Sequence, residues 1–571
     1  MLQKITMFLT VLLLTLATFG TSAQVATADL TILADLFTAE DTYIFASIRA
    51  DDDFVATLDG YAAQIGAETD LYGEELDLST ALDQAVTEAQ LGDDFETAIR
   101  PWLGDTVGLG FMLSPFADPE NLENLSSELL PTFAAELADV EAGQAALVSL
   151  FTNQEGREPT EETIGDFTTF TFIFDQESGE PRASDIMLAF TDDAVLVGQY
   201  AQISVLVMEG KTPLTAYEDF NTTVGLLTED AYNVLSYGNQ PLAATALDAT
   251  LENLAEDSFR REQLETEREF YQNTGSFVVG ARIEEERIFN IEVAVNGRGG
   301  ETLFSVLDTG AVDFAFAENI TTRFPLVIHL TNLAGFIDES IVAANEINED
   351  SGEAVDQANE ASRTAIGLSL EEIYGWMVND YAIVLGPSVQ ASDASGINDY
   401  ITDLPLEFGI LIDPSADEAT AVRVVDAVET VMREQLAPAA EGTAEFTIER
   451  EGDLITVTAI DQTGNVPFPL SVNFGLTGGA FVLATPGVLM EGTPLPEGET
   501  FQAAAGTLVV DPTSVFYIDF KPLVPFLRPL APLDPSVGTS VSVLDLLDFA
   551  TISSTIGADG NGYAKAVIAF K

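Results

Sequence analysis

The chain of 571 residues has no cysteine, a single histidine, two tryptophans, and 21 lysines and arginines against 94 aspartates and glutamates. The missing cysteines exclude disulfides, thiolate metal sites and cysteine nucleophiles. One histidine leaves any Ser-His-Asp chemistry dependent on His329. It also leaves no set of His and Cys ligands for a zinc site of the usual kind. The scarcity of cations gives a formal net charge of −73, which excludes nucleic acid and anionic lipid surfaces as partners. Such a coat keeps the chain soluble, repels itself unless salt screens it, and permits weak, diffuse cation binding. Hydrophobic residues make up 47% of the chain, enough to build large cores without disulfide staples.

Long apolar runs are also absent, with one exception at the start. Lys4, the apolar stretch Ile5 to Phe19, and Thr21-Ser22-Ala23 before Gln24 read as a secretory signal peptide over residues 1–23, cleaved in the mature protein. The stretch is short for a spanning helix, so an uncleaved N-terminal anchor is the competing reading. The expected location is therefore secreted or extracytoplasmic.

What is present is self-similarity. Thr191 aligns with Thr477, Val207-Met208-Glu209-Gly210 with Leu489-Met490-Glu491-Gly492, Phe220 with Phe501, and Pro241-Leu242 with Pro522-Leu523. Trp102 aligns with Trp376, and the segment from Leu36 with the one from Leu307. These matches imply an internal duplication with small insertions. Alternating aromatic and β-branched runs read as strands at Tyr43 to Ile48, Thr106 to Leu113, and Phe167 to Phe174. Hairpins are expected at Phe277 to Val295 and Phe446 to Ile460. Helices are expected at Leu76 to Leu91, from Glu120 to Phe151 with a break at Pro131, from Pro241 to about Tyr271, and from Ala419 to Leu436. Hairpins with helices between them favour an α+β fold over a doubly wound sheet. Two tandem homologous units are expected, at 30–297 and 302–571, each a mainly antiparallel sheet with helices packed on one face.

The Trp102-Leu103-Gly104-Asp105 turn after a helix, the strand pair ending in Val195-Leu196-Val197-Gly198, and the helix around Phe220 with its following strand resemble the bacterial proteins grouped as Domain of Unknown Function 3352. In the second half the motif is weaker, since Trp376 is followed by Met377-Val378-Asn379-Asp380. The resemblance implies an extracytoplasmic protein with no assigned activity and no catalytic residues to carry over.

Candidate chemistry is thin. Leu307-Asp308-Thr309-Gly310 is similar to the active-site loop of aspartic proteases, which needs two such carboxylates. The chain supplies one, so only a dimer pairing two copies of Asp308 would serve; otherwise the segment is a turn leading into a strand at Phe314-Ala315-Phe316. His329, inside the apolar run Pro325 to Leu330, reads as a packed histidine. Asp51-Asp52-Asp53 and Asp192-Asp193 could offer oxygens to calcium but lack an EF-hand pattern and read as turns. Gly108-Leu109-Gly110 sits in a strand and lacks a phosphate-binding pattern. Trp102 and Trp376 read as core anchors. Arg260, Arg261 and Arg268, interleaved with glutamates, read as a solvated helix face in which Glu265 pairs with Arg261 and Arg268. No catalytic, metal or cofactor residue is assigned. The expected function is that of a secreted, non-enzymatic binding or structural protein, with an unknown ligand or protein partner. The alternatives are a carrier of apolar molecules in a groove between sheet and helices, and a hydrolase through Asp308.

Overall fold

A computed structural model describes residues 25–26, 30–57, 60, 78–88, 92–114, 129–173, 180–208, 210–229, 231–254, 259–284, 288–297, 310–347, 350–388, 406–436, 438, 443–463, 469–529, 535–557 and 560–571. The fold is α+β with antiparallel pairing throughout the described ladders. The chain divides into two compact units, residues 1–303 with 557–563, and 304–556 with 564–571.

Unit 1 contains strands β1 (Val25–Ala26), β2 (Thr42–Arg49), β3 (Leu103–Leu113), β4 (Leu129–Leu137), β5 (Thr160–Ile164), β6 (Phe167–Phe172), β7 (Ile186–Phe190), β8 (Ala194–Gln199), β9 (Ala231–Tyr232), β10 (Val234–Gly238), β11 (Phe277–Glu284) and β12 (Ile288–Val295). Its helices include α1 (Leu78–Glu88), α2 (Val140–Glu155), α3 (Tyr200–Leu206), α4 (Glu218–Val224), α5 (Gln240–Asn253) and α6 (Phe259–Thr274). The sheet runs β12-β11-β10-β2-β3-β4-β8-β7-β6-β5. Strand alternation splits its apolar side chains between two faces. On one face Ile48, Val107 and Leu188 meet Leu82 and Val86 of α1, Leu150 and Phe151 of α2, and Trp102. Further along, Leu113 and Leu129 lie under Leu247 and Leu251 of α5 and Leu264 of α6. On the other face Phe45, Ala134 and Leu196 pack against Ile203 of α3 and Phe220 of α4. Helices thus cover both faces: the longer ones take one side, and short ones take the side that the sequence left bare.

Unit 2 contains β13 (Leu326–Thr331), β14 (Asp380–Pro387), β15 (Leu406–Ile412), β16 (Ala444–Glu451), β17 (Leu454–Asp461), β18 (Leu470–Thr477), β19 (Ala480–Ala484), β20 (Ser514–Asp519) and β21 (Leu547–Ile556), and most of the last described strand, β22 (Gly562–Phe570). Helices α7 (Leu333–Ile347), α8 (Asp350–Ile366), α9 (Glu418–Val431), α10 (Glu499–Ala505), α11 (Phe520–Leu527) and α12 (Pro535–Leu544) accompany them. The pairing order is β21-β20-β13-β14-β15-β19-β18-β17-β16. Tyr381, Ile412 and Phe481 pack under Ala421 and Val425 of α9, beside Trp376. At the other end of the same face Ile518 and Ala550 lie under Phe520 and Val524 of α11 and Val541 of α12. The outer strands β5 and β16 carry Glu161 and Glu162, and Glu445, Glu449 and Glu451, charges that discourage edge-to-edge pairing.

Three expectations are corrected. The acidic stretch before Phe151 is not helical throughout, because Leu129–Leu137 is strand β4 and the helix begins only after Asp139, which caps Ala142 N–H. Pro131 is tolerated there because it pairs with Phe111 of β3 while the β8 ladder starts at Phe133. Its missing N–H therefore removes no bond on the β8 side. The helix from Pro241 is two helices, ended once by the extended backbone of Leu254. Phe314-Ala315-Phe316 is not a strand. It leads into a 3₁₀ turn, Phe316–Asn319, and the strand comes later as β13. Asp308 lies outside the described residues.

Candidate binding surface

His329 sits in the middle of β13, where alternation turns it into the packed face, and it is 2% exposed. Its Nε2 lies 2.8 Å from Asp380 Oδ1. That same oxygen accepts the Asp313 N–H at 2.8 Å. The rings of Phe314 and Phe316 lie against the imidazole, 6.1 and 5.8 Å away between centroids. Ser47 holds the matching place in β2, opposite Leu235 and Gly108, as His329 lies opposite Val515 and Ala382. Ser47 Oγ donates to Leu30 C=O. The histidine is a packed side chain whose polar edge is paired, with no opening to a substrate.

Two carboxylates in unit 1 gather donors in the same way. Glu292 accepts from Tyr232 Oη at 2.5 Å, and from the N–H and hydroxyl of Thr228. Asp219 accepts from Tyr237 Oη at 2.9 Å, from Asn296 Nδ2 at 3.1 Å, and from Ser276 Oγ. Burial, reinforced by these carboxylates, pushes the Tyr232 and Tyr237 phenols far above their ordinary value. Each acid ties strand ends to a loop or helix and has its lone pairs occupied, which suits scaffolding.

The remaining sequence candidates are similarly engaged. Asp51 pairs with Arg49, and Asp52 with Arg100. Asp193 closes the β7–β8 turn by accepting from the Thr191 hydroxyl at 2.9 Å. Among the described residues no group of three or more acidic or histidine side chains is placed to hold a metal ion. Gly108 and Gly110 lie within β3. Trp102 and Trp376 are both buried. Arg261 pairs with Glu265 at 2.7 Å, whereas Arg268 reaches Asp248 on α5 and not Glu265.

Two features remain open. One is a shallow cleft of about 460 Å³ beside α2, lined by Glu141, Val148, Thr152, Glu158 and Phe170 among others. The other is a row crossing six strands of unit 2. Ile552 of β21, Phe516 of β20, Ile328 of β13, Ile383 of β14, Ile410 of β15 and Leu483 of β19 are successive cross-strand partners, so they share a face. Ile552 is 51% exposed, Ile383 36% and Leu483 38%; in the next row Phe408 is 42% exposed. The corresponding row of unit 1 reads Val279, Ser236, Ala46, Leu109, Phe133, Val197. There Leu109 and Phe133 are buried.

The helices between the last paired strands also differ between the units. In unit 1, α5 and α6 have 14 and 16 residues, about 21 and 24 Å of cover. In unit 2, α11 and α12 have eight and ten, roughly 12 and 15 Å. Proline usage differs as well. Residues 241–275 contain Pro241 alone, whereas Pro522, Pro525, Pro529, Pro532 and Pro535 punctuate the second segment, and each interior proline ends or bends a helix. Unit 2 thus puts bulkier apolar side chains on this face and covers them less. Contiguous apolar patches are a feature by which interaction surfaces are sought. Full cover of each half-bare side chain would contribute roughly 1 kcal/mol. Sequence reasoning missed the strip because its strands alternate like any others.

The chain belongs to the family described as Protein of unknown function (DUF3352), whose model matches residues 5–443, through unit 1 and up to the start of β16. No curated protein and no solved structure matches the chain. Among the described residues no helix is long and apolar enough to cross a membrane.

Proposed function

We propose that this protein is a secreted, non-enzymatic binding protein built from two tandem homologous units, and that it binds through the apolar strip of unit 2. The observation that carries the reading is the strip itself: Ile552, Ile383, Leu483 and Phe408 stand bare between two helix-covered ends of one sheet face. The duplication is supported by the pairing orders, which agree strand for strand from β11 and β21 through to β5 and β16. It is supported also by the matched bridges Thr38 to Pro213 and Thr321 to Pro494. Export rests on the leader pattern of residues 1–23. The non-enzymatic character rests on the closed surroundings of His329 and of the two donor-saturated carboxylates.

A carrier of small apolar molecules is less well supported, since such ligands are held in pockets that enclose most of their surface and the strip is open. The test uses the mature chain and the neutral dye Nile red. Dye fluorescence should rise on the native protein and fall back in Phe408→Asp, with circular dichroism unchanged. Equal dye response in the two proteins would remove the strip from the account. Sequencing the N-terminus of exported protein checks the leader, which should be cut before Gln24.

A further inference from the structure

We infer that the strip of unit 2 receives one amphipathic helix with a cationic polar face, contributed by a partner protein. The inference rests on the binding role just proposed and names its partner.

The shape argues for a helix. Six strands at about 4.8 Å make a row of roughly 24 Å, the length of about 16 helical residues. The strip is floored by sheet and bordered on the same face by α9 at one end and by α11 and α12 at the other. A helix laid there would join α9, α11 and α12 in one layer on that face. Helices that dock on an apolar floor bury one stripe and leave the other side in water, which an open strip allows. A single acyl chain would remain half wetted.

Charge argues for a basic polar face. The chain carries 94 acidic residues against 21 basic ones, so a second copy of it is repelled. The bordering α9 has Glu418, Asp426 and Glu429 against Arg423. The nearby cations are engaged at home: Arg423 with Glu372, Arg450 with Asp426 and Glu429, Lys521 with Asp548, and Arg528 with Asp545.

The test titrates the mature chain into three fluorescently labelled peptides of about 18 residues: leucine and lysine at helical amphipathic spacing, the same composition scrambled, and leucine with glutamate. Anisotropy is read at about 0.15 and about 0.5 M NaCl. The ordered lysine peptide should bind about tenfold or more tighter than either of the others. Phe408→Asp should weaken it by about tenfold with an unchanged thermal midpoint; Ile383→Asp serves if the first variant is misfolded. Equal binding of ordered and scrambled peptides, or full affinity in both variants, would overturn the inference as mere charge attraction. Nile red binding that Phe408→Asp abolishes, together with no peptide binding or with displacement by oleate alone, would overturn the helical partner and leave the binding surface standing. If neither dye nor peptide responds to the substitution, both readings fall.

Discussion

Two sheets with the same pairing order are finished differently. Unit 1 closes its longer-helix face with α5 and α6, and the small side chains Ala46 and Ser236 sit in a row where little is left bare. Unit 2 carries Ile328 and Phe516 at those places, and its helices α11 and α12 are shorter. The difference teaches that one pairing order can carry rows of very different bulk and exposure.

The sharpest break of this comparison is at the paired tryptophans. Trp102→Ala and Trp376→Ala should each cost about 3–5 kcal/mol, read by urea unfolding followed by far-UV circular dichroism. If the two losses are unequal by more than about 2 kcal/mol, the two cores are not built alike. The next effect is at His329, where His329→Leu strands the largely buried Asp380 carboxylate and should destabilise unit 2 by about 3 kcal/mol. The double change His329→Ser with Asp380→Thr, which copies Ser47 and Thr106 of unit 1, should recover a good part of that loss. A double variant no better than the single one would mean that the pair is not equivalent to its unit 1 counterpart.

The third contrast is alkaline. Burial, with Asp41 nearby, pushes the Tyr43 phenol up to about 12, and burial raises Tyr232, Tyr237, Tyr381 and Tyr517. In the unfolded chain these phenols ionise near their ordinary value of 10.0. The folded state then binds more protons than the unfolded one, so stability falls as pH rises past that value. Unit 1, with Tyr43, Tyr232 and Tyr237 in its interior, should lose structure at lower pH than unit 2. Simultaneous loss in stopped-flow tryptophan records would contradict this. The smallest effect separates the tryptophans again. Trp102 Nε1–H donates to Ala98 C=O at 2.7 Å, whereas buried Trp376 Nε1 has no partner among the described residues. Trp102→Phe should therefore cost about 1 kcal/mol more than Trp376→Phe, measured in the same urea titrations.

Much of the fold was legible in the residues. Alternation marked β2, β6 and the hairpins, and helical spacing marked α1 and α9. The tryptophans read correctly as core. β4 did not, because Pro131 and the surrounding acids look like broken helix; only the place of Pro131 beyond the β8 ladder makes it harmless. The alignment of the segment from Leu307 with that from Leu36 failed for a related reason. Shared small and aromatic residues there belong to a 3₁₀ turn in one case and a strand in the other. The contact of His329 with Asp380 joins residues 51 positions apart, a separation over which local pattern carries no information. The apolar strip depends on which part of a sheet face the helices leave uncovered, and strand alternation does not record that.

The short piece 557–563 belongs to unit 1, although about 250 residues lie between it and the rest of that unit. Asn561 accepts the Gly297 N–H at 3.2 Å through its side chain, and Tyr563 packs beside Leu30, Tyr232 and Val278. The first half of the molecule therefore cannot be finished while it is being made. Its last pieces emerge from the ribosome about 260 residues after Gly297, and a fragment that stops there would lack them.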